Sequence, residues 1–109
     1  MTSNLRTRIA APDHATAGEV IRIRTLIGHP MESGFRRDAT GQAIARDILV
    51  RFECRFESAL VFAADLAPGT AANPYLSFHF RAERSGTLAF VWRDQNGAET
   101  RDQHALVVE

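Results

Sequence analysis

The chain contains no lysine, and it has a single cysteine, one tryptophan and one tyrosine in 109 residues. Without lysine there is no side-chain amine to form a Schiff base or act as a nucleophile. One cysteine cannot close an internal disulfide, so cysteine usage leaves the redox compartment open. Neither sign of charge is in surplus: thirteen basic and thirteen acidic side chains cancel, which removes any overall field that would gather nucleic acid or an anionic membrane. No stretch is long and apolar enough to span a bilayer as a helix. The start, Met-Thr-Ser-Asn-Leu-Arg-Thr-Arg, has no apolar segment behind a basic one, so on its residues alone the chain is expected to stay in the cytoplasm. Internal repeats, linkers, charge blocks and segments of helical period are also missing.

What is present is an ordinary globular composition, 45% apolar and 24% charged, of a size that buries one core. We read 1–109 as a single domain. Alternation of apolar and polar residues at period two marks strands over 5–10, 19–27, 48–56, 59–64, 75–82, 87–93 and 99–108. The first is expected on a sheet edge before Pro12, followed by a turn over 13–18. In the 48–56 strand Ile48, Val50, Phe52, Cys54 and Phe56 share one face, which suits a central strand with one wet side. Asn96-Gly97 is a hairpin signal, and the polar last strand suggests an edge. About seven short antiparallel strands separated by turns predict an all-β, immunoglobulin-like β-sandwich. Fold alone assigns no function.

The unusual stretch follows the 19–27 strand, where Gly28, Pro30 and Gly34 interrupt the alternation and bring His29, Met31, Glu32, Phe35, Arg36 and Arg37 into one loop. A reversal needs only two polar residues, so this loop is equipped to recognise something. Its apolar centre, with Met31, is expected to supply affinity, and its charges orientation and association rate. His29 reads either as a cap on local backbone groups or as a partner contact, and the apolar neighbours Pro30 and Met31 favour contact. Asn73-Pro74 reads as a turn launching a strand. Tyr75 lies by parity on the outer face with His79, where an amphipathic ring suits an interface. Cys54, among large apolar neighbours of the same parity, reads as buried and inert. The histidines 14, 29, 79 and 104 lack paired ligand spacing, and no metal is expected. Arg22, Arg24, Arg51 and Arg55 read as a solvated strand face. No nucleophile elbow, phosphate loop or carboxylate pair stands out, so no catalytic residue and no cofactor is expected.

Two blocks and a hairpin carry a family resemblance. The run Ile27-Gly28-His29-Pro30-Met31-Glu32-Ser33-Gly34 with Arg36-Arg37-Asp38, the run Asn73-Pro74-Tyr75-Leu76-Ser77-Phe78, and the Trp92-x-Asp94 to Asn96-Gly97 hairpin resemble the SoxZ family of bacterial thiosulfate oxidation. The likeness extends from Leu5 to about Val107, and arginine stands here where lysines are common in the family. It implies a non-catalytic subunit that pairs with SoxY, the carrier that holds pathway intermediates on its own C-terminal cysteine. It also implies transient docking of thiosulfate-oxidation enzymes and a periplasmic location reached by export with the partner. The contacts it implies are His29, Pro30, Met31, Glu32, Gly34, Asn73, Pro74 and Tyr75. Alone, the chain is expected to expose an apolar face and form homo-oligomers. The rival readings are a stand-alone ligand-binding or adhesion module using the 28–38 loop, and a thiol enzyme built on Cys54.

Overall fold

A computed structural model describes residues 5–109; Met1 to Asn4 lie outside the described residues. Alternating patterns become strands wherever one face can be buried, and among the described residues eight form: β1 (Thr7–Ala10), β2 (His14–Ala15), β3 (Glu19–Ile27), β4 (Leu49–Phe56), β5 (Ala59–Asp65), β6 (Tyr75–Ala82), β7 (Gly86–Asp94) and β8 (Glu99–Val108). They make a three-stranded sheet, β1-β3-β6, packed on a five-stranded sheet, β2-β8-β7-β4-β5. The expected immunoglobulin-like sandwich is therefore present, with β4 central and β1 at an edge.

Two expectations are corrected. The 13–18 segment is not only a turn, because it holds β2, which runs parallel to β8 with His14 opposite Val107. Pro12 has no N–H to continue the ladder with β3. Its carbonyl instead lies 2.9 Å from the His104 Nε2, and the Asp13 carbonyl accepts from the Val107 N–H at 2.9 Å. The chain thus crosses from one sheet to the other, and β2 covers the end of an otherwise bare β8. The second correction lies in β4, where pairing passes from Leu49 opposite Asp94 to Arg51 opposite Arg93. This bulge shifts the phase. Leu49 takes the core position and Val50 is only half-buried.

The core is aromatic. Phe52 lies 5.1 Å from Trp92, 6.1 Å from Phe62, 6.2 Å from Phe78 and 6.3 Å from Phe90, between ring centroids, and Phe62 stacks on Phe78 at 4.2 Å, joining the two sheets. Such pairs add about 0.5–1.5 kcal/mol each beyond the area they bury.

Cys54 is completely buried next to Phe52, and burial pushes its thiol up to about 12. Serine there puts a hydroxyl in the core, and Cys54→Ser is expected to cost about 1–3 kcal/mol. The sign of its pH dependence follows from the raised value. An unfolded thiol titrates near 8.5, so the native state holds the proton more tightly. The contribution is intact below about pH 8.5 and is lost as pH rises toward 12. Denaturant unfolding across that window should show an alkaline loss of stability in the parent that is absent in Cys54→Ala, and rapid thiol labelling of the native protein would contradict the burial.

Candidate partner interface

The two sequence blocks singled out above meet in space. Between β3 and β4 the chain makes a 28–48 excursion, and its first residues continue the β3 alternation: Ile21, Ile23, Thr25, Ile27, His29 and Met31 are all buried while the residues between them are exposed. The His29 N–H donates to the Asn73 Oδ1 at 3.0 Å, and the Asn73 N–H donates back to the His29 carbonyl at 2.7 Å. Asn73 takes a left-handed φ of 52°, a conformation that asparagine tolerates because its short side chain bonds locally. The blocks thus close on each other as a clasp.

His29 and Met31 lie on the inside of that clasp. The His29 side chain is 3% exposed, and its Nδ1 accepts the Met31 N–H at 2.9 Å. That bond requires the tautomer with the proton on Nε2, which faces the Asp47 Oδ1 at 3.5 Å. Met31 is 5% exposed with φ of 50°, and its sulfur accepts the Leu49 N–H at 3.3 Å. The expectation that Met31 is the apolar centre of a docking loop is therefore corrected: it is core. His29 is the backbone cap, and Pro74 is buried as well. Unbroken odd-position alternation from 21 to 31 was the signal for this, masked by Gly28 and Pro30.

Beyond the clasp the excursion projects as a narrow arm. Glu32 and Asp47 exchange backbone hydrogen bonds at 2.9 and 2.8 Å, and at the tip the Asp38 N–H donates to the Gln42 carbonyl at 2.8 Å. The Asp38 carboxylate caps the tip by accepting from the Thr40 hydroxyl and from the N–H groups of Thr40 and Gln42, which holds it below the usual carboxylate range. Gly34 has φ of 93°, and a Cβ there would lie 3.2 Å from the Arg46 Cβ, so this bend requires glycine. Arg36 grips Glu32 through Nε at 3.1 Å and a terminal nitrogen at 2.6 Å, and this hydrogen bonding lowers the Glu32 carboxyl. Arg37 donates to the Gly41 carbonyl at 2.8 Å. The arm's charges are largely satisfied internally. Phe35, however, is 89% exposed.

Of the sequence-predicted contacts, Pro30, Asn73 and Tyr75 are exposed and Glu32 and Gly34 half-exposed, so these five face outward while His29, Met31 and Pro74 position them. Tyr75 stands on the outer face of the three-stranded sheet, opposite Leu26. Sequence reasoning missed Asp47, which ties the arm's base to His29. It also missed Arg6 and Arg8, although they alternate with Thr7 and Ile9 much as Arg22 and Arg24 alternate in β3. Among the described residues no group of three or more His, Cys, Asp or Glu side chains converges to hold a metal ion.

The model of the family described as sulphur oxidation protein SoxZ matches residues 8–105, a span that includes both halves of the clasp and the whole arm. No curated protein sequence matches the chain. Among solved structures, the superoxide reductase (neelaredoxin) from Ignicoccus hospitalis is similar at a TM-score of 0.73 and 19% identity, over 96% of this chain and 82% of that one. The sulfur carrier protein SoxY from Chlorobium limicola f thiosulfatophilum is similar at a TM-score of 0.70 and 18% identity, over 100% of this chain and 83% of that one. At such identities the likeness is one of fold.

Proposed function

The chain belongs to the SoxZ family of sulphur oxidation proteins, and from that premise we propose that it is the non-catalytic subunit of a periplasmic sulfur carrier complex. It binds and stabilises a SoxY-type carrier whose own cysteine holds the intermediates of thiosulfate oxidation, and it forms part of the surface on which the pathway's enzymes dock. The family match over nearly the whole chain carries this reading. The state of Cys54 supports it: a carrier thiol must be exposed and ionisable, and this one is sealed in the core with its proton held to about pH 12. Export in complex with the carrier accounts for a periplasmic location, and cell fractionation with and without the carrier gene checks it.

In this proposal the arm end of the molecule meets the carrier through Pro30, Glu32, Gly34, Asn73 and the exposed Phe35, an aromatic of the kind that anchors interfaces. Phe35→Ser should melt with the parent, since a ring 89% exposed contributes little to the core. It should weaken binding of the carrier about tenfold, or ~1.4 kcal/mol, as read by calorimetry. The wider reading is tested by reconstituting thiosulfate oxidation with Cys54→Ala. Turnover equal to the parent's is the expected result, and loss of turnover by a folded variant would refute a non-catalytic role.

A further inference from the structure

The two outer faces of the sandwich treat their arginines differently. On the five-stranded sheet, Arg51 and Arg55 both reach Glu53, Arg51 also reaches Asp65, and Arg93 and Arg101 both reach Glu99. Guanidinium hydrogen bonds hold the Glu53 and Glu99 carboxyls below their ordinary value. Those charges neutralise one another.

On the three-stranded sheet, Arg8, Arg22, Arg24 and Arg81 stand outward with no carboxylate partner among the described residues; Arg22 donates to the Ser77 hydroxyl at 3.0 Å and Arg81 to the Gly18 carbonyl at 2.9 Å. Register sets Arg8 beside Leu26 and Tyr75, Arg24 beside Ser77, and Arg22 beside His79. Shallow clefts run between them, one lined by Arg6, Arg8, Leu26, Gly28 and Asn73, the next by Arg8, Arg24, Leu26 and Tyr75. Neither cleft has an acidic lining residue. The adjoining depression that Arg22 and Arg24 share contains Asp13, whose carboxylate faces His104 at 3.4 Å. Leu26 and Tyr75, 39% and 54% exposed, set apolar surface among the guanidinium groups.

Arginine and tyrosine together are the composition of protein interfaces, and arginine forks pair with carboxylates bidentately where lysine would be a point charge. The face is open and its clefts are shallow, with no free buried side-chain donor among their lining residues to trap a lone anion. Strands of four, nine and eight residues make a surface of at most roughly 30 by 14 Å, well under the ~800 Å² per partner of a stable interface. Its occupant visits rather than stays. We propose that the outer face of the three-stranded sheet is a transient docking surface for an acidic, partly apolar patch on another globular protein. This deepens the docking half of the proposed function and rests on it.

The test uses the isotope-labelled chain in complex with its carrier subunit, titrated with a short synthetic peptide that alternates glutamate with leucine and tyrosine. Resonance shifts are expected around Arg8, Arg24, Leu26 and Tyr75. Affinity should fall at least ~10-fold between ~0.01 M and ~1 M salt, over which the screening length drops from about 30 to 3 Å. Arg8→Glu/Arg24→Glu should lose binding by a similar factor and still co-purify with the carrier, whereas Arg51→Glu/Arg101→Glu should bind as the parent does. No binding at low salt, shifts on the five-stranded sheet, or equal loss in both double variants would overturn the proposal. So would sulfate or duplex DNA binding the same residues as tightly, or loss of the carrier from Arg8→Glu/Arg24→Glu. If the chain binds no carrier at all, it is the subunit reading that fails, and the same titration of the chain alone still reads this face.

Discussion

Met31→Ala is expected to lower the free energy of unfolding by about 2–5 kcal/mol, the range for truncating a buried methionine. The side chain is 5% exposed, in the cluster with Ile27, Ile48 and Leu49, and its sulfur accepts the Leu49 N–H. Truncation removes packed atoms and leaves that donor unpaired. For a domain of this size each kcal/mol moves the melting temperature by about 4–8 °C, so the variant should melt well below the parent in calorimetry. Met31→Leu keeps the volume and should cost under about 1.5 kcal/mol, the residual reflecting the lost acceptor. If Met31→Ala melted with the parent and only weakened partner binding, the segment would be a surface loop and not the inside of a clasp.

Asn73→Ala is expected to cost about 2–4 kcal/mol, combining an orphaned N–H with the strain of alanine in the left-handed region. The His29 N–H loses the acceptor it has in the Asn73 carboxamide oxygen. Asn73→Gly separates the two terms by relieving the backbone while leaving the donor unpaired, and should fall between parent and alanine. Asn73→Asp keeps an acceptor and should recover most of the loss. The midpoint of denaturant unfolding should shift with its slope unchanged, since the extent of unfolding is the same. Equal stability of all three variants would mean the reciprocal hydrogen bonds do not hold the blocks together.

The sandwich was legible because its long strands alternate cleanly: β3, β6 and β7 bury the faces that their apolar residues mark. What stayed hidden depends on tertiary pairing. A two-residue strand such as β2 has no period to detect and exists because β8 offers it an edge. The bulges at Val50 in β4 and at Val61 in β5 shift the phase without any glycine or proline to announce them. In the candidate site the family blocks were visible, but whether their side chains point inward was not, since Gly28 and Pro30 read as loop residues while the backbone carries the β3 alternation on to Met31. The arginines on strand faces read alike in sequence. Only the folded register separates Arg51 and Arg55, paired through Glu53, from Arg22 and Arg24, which have no acidic partner among the described residues.

Light scattering on the purified chain, before and after a SoxY-type carrier is added, shows whether this chain acts by binding a carrier subunit. A self-associated chain is expected in isolation, with the 89% exposed Phe35 as an apolar contact, converting on mixing to one species containing both proteins. A monomer at high concentration whose mass does not change when the carrier is added would contradict it.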